Sequence, residues 1–192
     1  MRDQIVKRKE RATVKKAAII YLSLTGNTKK VAESIQQGLI EGGMQVSFFS
    51  VEDAEDVDFY DFDLICLGTP SYHWHPPKAM DDYLKKIFLQ YRKKGLVKPG
   101  APPLKGKSAL VFCTYSGPHT GIREALPVGK YVGQFFEHLG FTVVDEWYVL
   151  SEFHGSEEDS TLGRMGNIKG LPSQKDLTQL ISRASNLAKR LE

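Results

Sequence analysis

The segment between Ala17 and Ile35 constrains the fold of this chain more than any other. An apolar run, Ala17–Leu22, leads directly into a turn rich in glycine and hydroxyl side chains, and a helical pattern of apolar residues begins at Val31. The first N–H groups of a helix have no partner within the helix, and the helix dipole is positive there. A strand-to-helix turn of this kind therefore predicts an anion site, and a phosphate dianion suits it well.

The turn supplies donors for such a ligand. Its hydroxyls can donate hydrogen bonds, and its glycine lets the backbone approach closely. The predicted phosphate-binding residues are Ser23, Thr25, Gly26, Asn27 and Thr28. The alternative is a plain helix cap formed by Asn27 or Thr28. The sequence excludes two familiar phosphate loops, because neither the nucleotide triphosphate motif nor the glycine-rich dinucleotide motif is present.

Composition indicates an ordinary globular protein. The 192 residues are 41% hydrophobic and 26% charged, and no apolar run has the length of a membrane span. The charged N-terminus lacks the apolar core of a secretory signal. Cys66 and Cys113 both lie in apolar runs, which favours buried, reduced thiols over a disulfide and predicts a cytoplasmic protein.

Basic charge is concentrated at the N-terminus. Residues 1–16 hold seven lysines and arginines against Asp3 and Glu10, a balance of +5 in a chain of net charge +3, so the remainder is slightly acidic. We predict a basic extension at residues 1–15 and one domain at 16–192. The extension is either a tether to an anionic partner or a solubilising tail, and the domain itself has no basic field that would indicate nucleic-acid binding.

Strand and helix patterns alternate along the domain. The predicted strands are Ala17–Leu22, Gln45–Val51, Leu64–Leu67, Ser108–Cys113 and Thr142–Val149. Helical patterns separate them, and the last, after Pro172, opens with an approximate capping box at Ser173 and Asp176. This alternation predicts a parallel α/β sheet covered by helices on both faces. Loops 23–28, 69–77 and 114–121 should then meet beyond the carboxyl ends of the strands, where such folds bind ligands.

Three segments carry a resemblance to a known family. They are Ser23-Leu-Thr-Gly-Asn-Thr28, Asp63-Leu-Ile-Cys-Leu-Gly-Thr-Pro-Ser-Tyr72 and Cys113-Thr-Tyr-Ser-Gly117. The chain resembles the flavodoxin-like family over nearly all of residues 16–192. The resemblance implies a three-layer α/β/α sandwich with strand order 2-1-3-4-5 and FMN as cofactor. The Gly-Thr-Pro-x-Tyr pattern and residues 170–177 look closer to the flavodoxin-like quinone reductases than to small carrier flavodoxins.

The resemblance assigns the three loops to parts of FMN. The first loop would bind the phosphate, and the other two would enclose the flavin ring. The residues implied for the ring are Thr69, Pro70, Ser71, Tyr72, His73, Trp74, Thr114, Tyr115, Ser116 and Gly117. Tyr72 matches the family's stacking contact best. Trp74 is either a second wall or a residue that anchors the loop.

Histidines and cysteines offer weaker signals. His73 and His75 have no third ligand at metal-binding spacing, so no metal site is expected. His119 is the one candidate catalytic residue, as a proton donor in the third loop, and a solvated loop histidine is the alternative. Cys66 and Cys113 could form a redox pair only with suitable geometry, and buried structural thiols are favoured.

The leading functional hypothesis is an FMN-dependent oxidoreductase that takes electrons from a nicotinamide donor and passes them to a quinone or similar small-molecule acceptor. The alternative is a non-enzymatic electron carrier that docks to redox partner proteins. A third hypothesis is an interaction module with an empty pocket. The oligomeric state is left open, with a homo-oligomer as one alternative.

The long loop Ser151–Leu171 is expected to move without ligand and to cover part of the site, with Arg164 and Lys169 facing a phosphate-bearing donor.

Overall fold

A computed structural model describes residues 14–191, so positions 1–13 of the predicted basic extension lie outside the described residues. Five parallel strands form one sheet in the order β2-β1-β3-β4-β5. The strands are β1 Lys16–Tyr21, β2 Gln45–Ser50, β3 Leu64–Pro70, β4 Ser108–Tyr115 and β5 Thr142–Leu150. The helices are α1 Asn27–Glu41, α2 Lys78–Lys93, α3 Leu126–His138, α4 Glu157–Thr161 and α5 Gln174–Leu191. The predicted fold class and strand order are confirmed.

The sheet separates two hydrophobic clusters. Strand side chains alternate between the faces, so Ile19 joins the cluster beneath α1 and α5, whereas Ile20 joins the cluster beneath α2 and α3. The central strand β3 is fully buried from Leu64 to Thr69, as its uninterrupted apolar run predicts. Burial on both faces fixes the register of the strands and therefore the relative positions of the loops that follow them.

Helix α1, which carries the predicted phosphate turn, is fixed by close packing against α5. A methyl group at Gly38 would lie 2.2 Å from the carbonyl oxygen of Ile181, and one at Gly42 would lie 2.4 Å from the side chain of Ala188. Only glycine permits the two helix backbones to approach so closely. The C-terminal half of α1 is thereby fixed against α5.

The predicted start of α5 is confirmed in detail. The Ser173 hydroxyl accepts a hydrogen bond from the Asp176 N–H at 3.3 Å, and the Asp176 carboxylate accepts one from the Ser173 N–H at 2.8 Å. These reciprocal bonds are those of a capping box.

Among residues 14–191, none of the helices combines the length and the apolar character needed to cross a bilayer.

Candidate functional site

The first loop places an open helix terminus at the carboxyl edge of the sheet. Gly26 precedes α1 with φ +92°, a conformation that favours glycine, and nothing lies within 4 Å of where its Cβ would be. Gly26, the residue before α1, has no side chain that could cap the helix terminus. Ser23 Oγ accepts a hydrogen bond from the Lys29 N–H at 3.2 Å, which leaves its hydroxyl proton available. Space, backbone donors and a hydroxyl donor therefore coincide there, as a phosphate requires.

The first loop is tied directly to the other loops. The Thr28 and Thr114 hydroxyls share a buried hydrogen bond of 2.8 Å, and the Asn27 side-chain amide donates to the Glu152 carbonyl at 3.1 Å. The Ser71 N–H donates to the Thr114 carbonyl at 2.9 Å. Among the predicted binding residues, Asn27, Thr28 and Thr114 are thus buried groups that hold the loops together. Thr69 is buried near the end of β3, whereas Thr25 is exposed.

The second loop forms a small hairpin that exposes two aromatic rings. Tyr72 and His75 exchange backbone hydrogen bonds of 2.9 and 3.0 Å around a turn made of His73 and Trp74. Tyr72 is 39% exposed and Trp74 is 61% exposed. Large aromatic surfaces left open beside the predicted anion site are suited to bind a flat aromatic group. The exposure of Trp74 contradicts the alternative that it is a buried anchor of the loop.

The hairpin turn has an unusual backbone. His73 has φ +49° and Trp74 has φ +63°, which corresponds to a two-residue turn with positive φ at both central positions. Such turns normally contain Asn-Gly, and each left-handed L-residue costs about 1–2 kcal/mol. Backbone strain of this kind persists where surrounding contacts impose it, and it concentrates at functional sites.

The third loop begins at the end of β4 and contains two closely spaced glycines. Gly117 has φ +58°, and a Cβ there would lie 2.6 Å from the Gly121 carbonyl oxygen. The Gly121 N–H donates to the Gly117 carbonyl at 3.0 Å. Tyr115 is buried at the loop's start, Ser116 is half-buried, and His119 is exposed near the loop's tip.

Glu124 is a site residue that the sequence analysis missed. Its carboxylate accepts hydrogen bonds from the N–H groups of His119 and Thr120 at 2.9 and 2.5 Å. Its carbonyl accepts a hydrogen bond of 2.5 Å from the Ser71 hydroxyl. One residue therefore fixes the third loop through its side chain and the second loop through its backbone.

Replacing Glu124 with alanine is expected to loosen the third loop. The two N–H groups would lose a charged acceptor and bond to water instead, so we expect the free energy of unfolding to fall by about 1–2 kcal/mol. Urea unfolding measures this change. Glu137→Ala, which removes an exposed carboxylate that bonds Gln134 on α3, is the matched control and should change stability much less. Equal losses in the two variants would contradict the role of Glu124.

The segment from Ser151 to Leu171 packs against the third loop. It contains α4, its Ile168 is buried, and the Ile168 N–H donates to the Ser160 carbonyl at 2.9 Å. The Arg164 N–H donates to the Pro118 carbonyl at 2.7 Å. Lys169 is paired with Glu157. Of the two basic residues predicted to face a donor, Arg164 is thus the one whose backbone bonds the third loop.

The two cysteines lie in different environments. Cys66 belongs to the cluster beneath α1 and α5, and Cys113 to a small cluster with Tyr115 and Val128. Both are free, and burial raises the pKa of each thiol. The expectation of buried structural thiols is confirmed, and a raised pKa disfavours the reactive thiolate.

Two cavities lie away from the three loops. One of about 390 Å³ lies between α2 and α3 and is lined by Leu84, Phe88, Tyr131 and Phe135 among others. The second, of about 310 Å³, lies between β5 and α5. The loop edge is therefore identified by its donor groups and exposed aromatic rings.

Comparisons with known proteins agree with this geometry. Residues 18–98 match the model of the flavodoxin domain. A flavodoxin of Clostridium beijerinckii is 42% identical over 97 residues, which are 50% of this chain and 62% of that protein. The "Probable flavodoxin 2" of Bacillus subtilis is 33% identical over 38% of this chain and 47% of that protein. This chain therefore matches less than two thirds of the length of either curated relative.

Solved structures show the same fold. The oxidised flavodoxin 1 of Bacillus cereus superposes with a TM-score of 0.64 and 18% identity, covering 92% of this chain and 99% of that one. At this identity the likeness concerns the fold alone. Together with the sequence matches, it confirms that the chain has a flavodoxin-like fold.

Proposed function

We propose that this flavodoxin-like chain binds FMN at the edge formed by its three loops and acts in electron transfer. The observation that carries the proposal is the combination of an α1 terminus with open space at Gly26 and a neighbouring hairpin that exposes Tyr72 and Trp74. The first supports phosphate binding and the second supports binding of a flat aromatic ring. These are the two chemically distinct ends of FMN.

The residues present fit this cofactor. The N–H groups at the start of α1 and the hydroxyls of Ser23 and Thr25 would bind the phosphate, while Gly26 leaves room for it. Tyr72 and Trp74 would flank the ring. The N–H groups of Ser71 and Tyr72 are already bonded to the carbonyls of Thr114 and His75, so the His73 N–H, together with those of Ser116 and Gly117, would meet its polar edge. When bound, FMN supplies the electron- or hydride-transfer chemistry, and the protein contributes position and electrostatics.

The finer proposal is an NAD(P)H-dependent oxidoreductase that acts on a quinone or similar acceptor. It is supported by the Gly68-Thr-Pro-Ser-Tyr72 pattern and by residues 170–177. The alternative, an electron carrier that serves redox partner proteins, is favoured by the names of the curated relatives. In the oxidoreductase, His119 at the rim of the third loop is the candidate proton donor, because it is exposed to an incoming acceptor.

Absorption spectroscopy tests the proposal and separates these two functions. The purified protein, or the apoprotein after FMN addition, should show the visible bands of bound flavin. Anaerobic addition of NADPH or NADH should bleach these bands directly if the protein is an oxidoreductase. Bleaching that requires an added reductase would identify a carrier. A protein that takes up no FMN would contradict the proposal and favour an interaction module.

A further inference from the structure

The hairpin Tyr72–His75 is supported from outside the loop by a contact with α3. The His75 ring packs on the Tyr131 ring of α3, with centroids 4.7 Å apart at an angle of 54°. The His75 Nδ1 lies 2.9 Å from the Pro76 carbonyl, a bond in which Nδ1 is the donor, and this orients the ring toward Tyr131. The His75 side chain, at the end of the strained turn, is therefore fixed against α3.

Tyr131 is itself anchored. Its hydroxyl donates a hydrogen bond to Asp81 Oδ1 on α2, and Asp81 Oδ2 accepts a 2.6 Å bond from Lys85. Burial opposes the ionisation of Asp81, but the bonds from Lys85 and Tyr131 and the nearby charges of Lys85 and His75 keep its pKa below the usual range. Burial and the bond to ionised Asp81 raise the pKa of Tyr131 to about 12, so its hydroxyl stays protonated and keeps donating.

We propose that Tyr131 and Asp81 are positioning residues that hold the Tyr72–His75 hairpin closed through the ring of His75. The hairpin needs such support because His73 and Trp74 are L-residues at positive φ, so the turn is not favoured by its own sequence. The contact preorganises the exposed rings of Tyr72 and Trp74 before a ligand arrives, and preorganisation reduces the entropic cost of binding. The effect on FMN rests on the proposed function, whereas the effect on the hairpin does not.

Amide hydrogen exchange in the flavin-free protein tests the positioning role directly. The Tyr72 and His75 N–H groups report hairpin closure, because each donates to the other residue's carbonyl. Tyr131→Phe keeps the ring but removes the bond to Asp81, and Tyr131→Leu removes the ring as well. Exchange of both amides should become about threefold faster in Tyr131→Phe and at least tenfold faster in Tyr131→Leu, because the hairpin opens more often.

Tyr60→Phe is the matched control. It also removes one partly buried tyrosine hydroxyl. That hydroxyl donates to the carbonyl of Leu139, which follows the last residue of α3, whereas Tyr131 lies in the middle of that helix. This variant should leave the two hairpin amides unchanged. Equal exchange in all variants would overturn the proposal. Acceleration shared equally by amides of α5 would also overturn it, because that result would mean a general loss of stability.

Flavin titration gives the second readout. Because the contact acts on the ring side of the site, Tyr131→Leu should weaken FMN and lumiflavin, which lacks the phosphate, by the same factor of about ten. A loss confined to FMN would overturn the assignment of Tyr131 to the hairpin. If wild-type protein binds neither ligand, the proposed flavin function fails, and amide exchange still decides the role of Tyr131.

Discussion

Replacing Thr25 with glutamate is expected to lower FMN affinity at least a hundredfold. Thr25 is exposed and directly precedes Gly26, so the new carboxylate would lie where the proposed phosphate binds. Like charges about 4 Å apart at a protein surface repel by about 4 kcal/mol, and a lost hydrogen bond to a charged group adds about 1–3 kcal/mol. Since each 1.4 kcal/mol is about tenfold in affinity, a hundredfold loss is a lower bound.

Flavin fluorescence quenching measures this loss, and two controls isolate its cause. Riboflavin, which lacks the phosphate, should lose much less affinity for Thr25→Glu than FMN does. Thr25→Gln has the same size as the glutamate variant without its charge, and it should bind FMN more tightly than Thr25→Glu does. The fold should survive, because an acidic side chain before the first turn of α1 interacts favourably with the helix dipole. Wild-type FMN affinity in Thr25→Glu would mean that residues 23–28 form only a helix cap.

The sequence predicted the layered fold well because hydrophobic periodicity and turn residues determine it locally. Buried runs such as Leu64–Leu67 and the capping box at Ser173 need no information from distant residues. The ends of the central strands were predicted less well. Strand β3 continues to Pro70 and β4 continues to Tyr115. These extensions form because each strand offers the other backbone hydrogen-bonding partners, as in the pairing of Pro70 with Thr114. Pairing of this kind leaves little signal in a single strand.

The missed parts of the site depend on contacts between distant elements. Glu124 accepts hydrogen bonds from backbone N–H groups, which every residue type except proline carries, so no sequence motif marks it. The His73–Trp74 turn lacks the Asn-Gly signal of its type, and its conformation coincides with the contact between His75 and Tyr131, 56 positions apart in the chain. Local sequence rules identify turns that are stable by themselves, and this one is held by its surroundings.

Replacing Gly117 with alanine is expected to disrupt the third loop and to weaken FMN binding at least tenfold. The residue must adopt φ +58°, which costs an L-residue about 1–2 kcal/mol. Its Cβ would also lie 2.6 Å from the Gly121 carbonyl oxygen, a backbone atom that can retreat only if the loop moves. That movement would carry the backbone of residues 116–121 away from the proposed flavin edge, and each 1.4 kcal/mol lost there reduces affinity about tenfold.

Gly106→Ala separates the steric clash from the backbone cost. Gly106 has φ +77° and nothing within 4 Å of its Cβ position, so alanine there meets only the conformational penalty. Urea unfolding should show a larger loss of stability for Gly117→Ala than for Gly106→Ala, and FMN titration should show a loss only for Gly117→Ala. Because both variants introduce one methyl group at positive φ, their difference measures how closely the third loop must pack to hold the flavin edge. Equal FMN affinity in the two variants would remove Gly117 from the proposed site.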